Sequence, residues 1–154
     1  MHPSQITALF GTEDRVFFIG VAGWRRIKEK TGRDPPVITQ ALARSVLGKP
    51  EAMSALQWVA AGGLGSWGPD DVREVILQGL IGGGMLAEPA TQLVRELVDG
   101  RPMMDQVPLA AEIAIASMLG APEPPGEPQG AAKKTPPRKT RSGAGRTSTP
   151  TPRS

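Results

Sequence analysis

The sequence predicts a mainly α-helical protein. It reads as a compact bundle of about five or six short helices with a small N-terminal β-hairpin and a disordered C-terminal tail. Three observations predict this. The run from Pro69 to Gly120 carries three apolar stripes at helical spacing, separated by two glycine-containing joints. The chain has three Trp, three Phe and no Tyr, so any core is mostly aliphatic, which suits small packed helices. From Ala121 onward proline and basic residues replace apolar ones.

Met1 to Ile19 reads as the hairpin. Ile6, Ala8 and Phe10 alternate, as do Val16 and Phe18, and Gly11-Thr12-Glu13-Asp14 supplies turn chemistry between them. Two strands alone are marginal in water, so helices or a partner's sheet edge must cover them. A helix is expected from about Gly20 to Thr31, burying Val21, Trp24 and Ile27 and closed by Gly32. Asp34 is placed as the next N-cap, with Pro35 and Pro36 in the first turn and Ile38, Ala41, Leu42 and Ser45 as the stripe. Gly48 stops that helix. Glu51 to Ala61 reads as another, with Met53, Leu56, Val59 and Ala60 as its apolar side. Four glycines within residues 62–68 mark a loop, because each costs about 1 kcal/mol inside a helix.

Pro69 then takes a first helical turn behind Gly68, with Asp70 and Asp71 facing the positive helix end. Val72, Val75, Ile76 and Leu80 form its single stripe, and Gly79 on that stripe leaves room for another backbone. Gly82-Gly83-Gly84 ends the helix through left-handed backbone. The second helix carries Ala90, Leu93, Val94, Leu97 and Val98, with Gly100 as its stop and Pro102 blocking continuation. The third, about Val107 to Leu119, is apolar nearly all round apart from Glu112 and Ser117. Such a helix is either central to a core or covered by a partner. It is too short for a bilayer, which needs about 20 residues.

Asp71-Val72-Arg73-Glu74-Val75, Gly79-Leu80-Ile81-Gly82-Gly83-Gly84-Met85, Leu93-Val94, Val98-Asp99, Arg101-Pro102 and Leu109-Ala110 to Gly120 together carry a resemblance. The stretch from about Val16 to Gly120 resembles the gene-transfer-agent family of phage tail assembly chaperones, siphophage-like proteins whose members also carry the looser label of tail tube protein. The resemblance implies a helical chaperone of virion assembly, prophage-borne or in a gene transfer agent. It would bind the tape measure protein, keep it soluble and help recruit tail tube protein subunits. It also implies residence in the bacterial host cytoplasm and a transient association with the assembling tail. Two departures stand out: Ala87-Glu88-Pro89 occupies the place of a Ser/Thr-type helix cap, and a proline-rich basic extension follows Gly120.

The 154 residues are read as one helical domain over 1–120 with its N-terminal hairpin, and a disordered Pro-rich basic tail over 121–154. The net charge of +3 is unevenly spread: residues 1–120 hold 11 basic and 13 acidic side chains, and residues 121–154 hold 7 and 2. There is no Cys, hence no disulfide or thiol chemistry, and no signal segment or membrane-length apolar run is recognised. The single His, His2, sits at the chain start.

No catalytic, cofactor-binding or metal-ligating residue is predicted, and the chain is not expected to be an enzyme. Asp70, Asp71 and Glu74 lie in a helix first turn, where acids serve the dipole, and they lack His or Cys neighbours for a metal. Gly82, Gly83, Gly84 and Gly100 are structural joints; a phosphate cradle would need a strand before the glycines and a Lys after them. Leu109, Ile113, Ile115, Met118 and Leu119 are candidates for a partner-binding face, against the alternative of a wholly buried helix. Trp67, bordering the glycine loop, joins them as a candidate contact. In the tail, Lys133, Lys134, Arg138, Lys139 and Arg141 offer a weak nucleic acid contact, with a solvated tail as the simpler reading. No aromatic is interleaved to stack on bases. A structural tail tube subunit is the alternative function, and it calls for a β-rich body.

Overall fold

Glycine and proline set most of the element ends in the computed structural model, which describes residues 3–121. The expected tail, its basic residues and His2 lie outside the described residues. Strand β1 (Ile6–Phe10) pairs antiparallel with β2 (Glu13–Phe17) across the two-residue loop Gly11-Thr12. Gly11 has φ +76 and Thr12 does not enter positive φ, as a type II′ hairpin turn requires. This loop is shorter than the four-residue turn expected from sequence, and the observed register puts Phe17, rather than the alternating pair Val16 and Phe18, on the face shared by Ile6, Ala8 and Phe10. Phe10 now pairs with Glu13 and Ile6 with Phe17. Phe17 is therefore fully buried, while Val16 faces outward and Phe18 is only half-buried. The Phe10 and Phe17 rings meet edge-on, with centroids 5.9 Å apart.

Six α-helices follow: α1 (Val21–Thr31), α2 (Pro35–Arg44), α3 (Ala55–Ala60), α4 (Pro69–Gly82), α5 (Ala87–Val94) and α6 (Val107–Leu119). A π-helical turn, Arg95–Asp99, extends α5, and a 3₁₀ turn, Met103–Gln106, leads into α6. α5 starts without a side-chain cap, consistent with Leu86 in the cap position. Gly100 closes the π turn at φ −95, so it is not the left-handed stop expected there. Gly32 does take that role, at φ +74. Asp34 occupies the N-cap position of α2 but makes no capping bond; its carboxylate accepts from Lys28 Nζ at 2.5 Å instead.

α3 departs furthest from the sequence pattern. Ser54 and Gln57 form a capping box that starts the helix four residues later than expected. None of its residues is buried, and Leu56 and Val59 face outward. None of the described helices is long and apolar enough to cross a membrane.

α4 is the centre of the fold. The helices α1, α5 and α6 and the strand β2 all pack on it. Asp71, Val72 and every residue from Glu74 to Leu80 are buried, well beyond the single stripe in the sequence. Burying charge requires partners. Asp71, 1 % exposed, pairs with Arg33 and accepts from the Gly68 backbone N–H at 2.7 Å. Glu74 meets Arg73 at 3.4 Å, and Arg73 Nε donates to Asp99 at 3.0 Å. The hydrogen bond to Asp99 pushes the Arg73 guanidinium further toward its charged form, outweighing burial.

The triple glycine is a packing joint as well as a stop. A Cβ on Gly82 would lie 1.8 Å from the Phe18 carbonyl oxygen, and one on Gly83 would lie 2.0 Å from that of Val16. Only Gly84, at φ +116, leaves the helical region as expected for all three. Met85 N–H donates to Leu80 O at 3.0 Å and Gly84 N–H to Ile81 O at 3.1 Å, the pair of bonds that defines a Schellman end. Gly79 serves the same contact: its carbonyl accepts from Phe18 N–H at 3.0 Å.

Candidate partner-binding surface

α6 shows how the apolar residues divide. Val107, Ala110, Ala111, Ile113, Ala114 and Ala116 are buried against α2 and α4. Ile113 is core: its Cγ2 would lie 3.2 Å from a Cβ placed on Gly79. Leu109 and Ile115 are half-buried, Met118 is 40 % exposed and Leu119 is 84 % exposed. Ser117 Oγ donates to Ile113 O at 2.8 Å and accepts from Ile19 N–H at 3.3 Å, tying the hairpin exit to the last turn of the helix. Ala121 N–H donates to Pro3 O at 2.8 Å, so the described ends meet nearby. The candidate set from sequence is therefore split: Ile113 belongs to the interior, Leu109 and Ile115 are half-buried, and Met118 and Leu119 in the C-terminal turn are exposed.

Met118 forms one wall of a groove of about 610 Å³. Val21 and Trp24 of α1 and Pro35 and Pro36 of α2 complete its apolar lining, with Arg25, Lys28 and Glu29 at its margin. The sequence placed Val21 in the core, yet it is 69 % exposed. The reason lies two residues on. Gly23 packs toward α4, where a Cβ would come within 3.7 Å of Gln78 Cβ and 3.0 Å of Ile19 Cγ2. Gly23 and Ile27, four apart, make the inward line, so a residue two positions before Gly23 falls on the other side of the helix. The glycine was the signal in the sequence that could have found this.

Trp24 lies beside that line and is packed against the core while lining the groove. Its Nε1–H is buried with no hydrogen-bond partner among the described residues. An unmade bond of this kind costs about 1–3 kcal/mol. Lys28 is engaged by Asp34, whereas Arg25 has no ion pair among the described residues. The groove thus offers aliphatic and aromatic walls and, at Arg25, a cation with no ion pair among the described residues.

Trp67 is half-buried against the core, its Nε1–H has no hydrogen-bond partner among the described residues, and it does not line this groove. The glycine joint faces the hairpin rather than a ligand space. A second concavity of about 630 Å³ lies where the hairpin turn meets the end of α5, lined by Phe10, Arg15, Leu97 and Arg101 among others. Among the described residues no group of three or more His, Asp or Glu side chains is placed to hold a metal ion.

A family model described as "Phage tail tube protein, GTA-gp10" covers residues 4–120. No curated protein and no solved structure matches the chain.

Proposed function

The chain belongs to the phage tail tube protein family, GTA-gp10, and on that premise we propose that it is a tail assembly chaperone. In this reading it binds the tape measure protein, keeps that long helical chain soluble and helps recruit tail tube subunits to it. It works by binding alone and turns over no substrate. The groove between α1, α2 and the end of α6 is the seat for an apolar segment of the tape measure protein.

One observation carries the reading: the apolar side chains of Val21 and Met118 are exposed in a groove that Trp24, Pro35 and Pro36 also line. Each Leu or Val fully buried by a partner contributes about 1.5–3 kcal/mol, so two or three such anchors suit a reversible hold. The basic margin at Arg25 favours a segment carrying a carboxylate near its apolar anchors.

The family's own description favours a second reading, a structural component of the tail tube. The two readings differ in what the finished particle contains. The test is to purify assembled tails and, separately, to co-express the chain with the tape measure protein. The chaperone reading expects co-purification with the tape measure protein and depletion from finished tails. Recovery from finished tails in the same molar amount as the tube subunits would establish the structural reading instead.

A further inference from the structure

The hairpin carries a feature that the groove does not use. A two-stranded sheet has two outer edges, and among the described residues the two differ in what lies beside them. The outer edge of β2 lies on α4, where the Val16 and Phe18 carbonyls sit over Gly83 and Gly82. The outer edge of β1 has no strand beside it among the described residues. Across a two-residue turn the closing residues, Phe10 and Glu13, exchange the ladder bonds, so Ala8 and Ile6 also point their backbone groups at β2. Thr7 and Leu9 therefore point theirs away. Both residues are exposed, Leu9 at 66 %.

Natural edge strands are usually protected by a charge, a proline or a bulge. β1 reads Ile-Thr-Ala-Leu-Phe and has none of these, whereas β2 carries Glu13, Asp14 and Arg15. The uncharged, strand-favouring edge is thus the open one, and the charged strand is the one sealed against a helix.

We propose that the open edge of β1 pairs antiparallel with β1 of a second copy of this chain, in the register centred on Ala8. That register sets Thr7 opposite Leu9 of the second copy and Leu9 opposite its Thr7. The N–H and C=O groups of both residues then find partners at once on both copies, and no like charges meet. A two-fold axis requires this kind of self-complementarity. The pairing joins two hairpins into a four-stranded sheet and covers both Leu9 side chains. The inference is independent of the tape measure reading, because it concerns the isolated chain. A strand pair this short buries less than the roughly 1,200 Å² typical of stable interfaces, so the association is weak.

The test is weight-average mass by sedimentation equilibrium from about 10 µM to about 1 mM, a range set by that small interface. The wild-type chain is expected to move from monomer mass toward twice that mass. Leu9→Pro removes only an outward N–H, a substitution that edge strands tolerate, and is expected to remain monomeric with an unchanged circular dichroism spectrum. Should Leu9→Pro unfold, Leu9→Lys takes its place and is expected to weaken association at least tenfold. Register is read by oxidation: Thr7→Cys with Leu9→Cys in one chain should give covalent dimers, while either change alone should not. A wild-type chain that stays monomeric throughout overturns the proposal, as does equal cross-linking by the single variants. Loss of binding to a tail tube subunit in Leu9→Pro, with the wild type monomeric, would assign the edge to that subunit's strand instead.

Discussion

Helices α4 and α6 exchange the roles their compositions suggest. α4 carries Asp71, Glu74 and Gln78, yet it is buried almost all round. α6 is the most apolar of the described helices, yet its last turn projects Met118 and Leu119 into solvent. In α4 each buried acid has a named cation, Arg33 for Asp71 and Arg73 for Glu74. In α6 the exposed apolar side chains have no such compensation. The contrast separates the part of the molecule that holds the fold from the part left with unmet interactions, and it is the second kind of surface that a binding protein needs.

The largest effect expected from breaking this contrast is at the joint of α4 with the hairpin. Gly82→Ala forces a methyl against the Phe18 carbonyl, so it should destabilise by more than about 4 kcal/mol in urea denaturation. Ile113→Ala comes next. It empties space between α6 and Gly79 and should cost about 2–5 kcal/mol by the same measurement. Asp71→Ala leaves Arg33 without its carboxylate and the Gly68 N–H without an acceptor. Arg33 is about one quarter exposed, so water compensates in part and the expected loss is about 2 kcal/mol. At the other end of the scale, Leu119→Ser should change stability by no more than about 0.5 kcal/mol, because its side chain already stands in water. A Leu119→Ser loss as large as that of Ile113→Ala would erase the distinction between the two parts of α6.

Much of this architecture was legible in the residues. The ends of α4 and α6, the stripe of α2 and the stop at Gly32 follow from proline, glycine and helical spacing, which act locally. What was not legible depends on contacts between distant parts of the chain. Phe17 rather than Phe18 turns inward because it lies directly opposite Ile6, a cross-strand register that the alternation within β2 alone does not reveal. Asp71 looked like a dipole-serving acid because its cation, Arg33, lies 38 positions away. Gly82 and Gly83 looked like helix stops, since nothing local shows a strand lying across them. At the candidate surface the sequence found α6 but could not separate Ile113 from Leu119, because periodicity cannot orient a helix that is apolar on every side. It missed the α1 half of the groove by assigning Val21 to the core, where Gly23 was the relevant residue.

The central claim is that this protein holds another through the exposed apolar end of α1 and α6, independently of its own stability. Titrating the purified chain with a tape measure protein fragment tests this most directly, comparing wild type with the double variant Val21→Asp, Met118→Asp. Both substitutions fall on exposed positions, so the thermal midpoint is expected to stay unchanged while affinity falls at least tenfold. An unchanged Kd at an unchanged melting temperature would contradict the account.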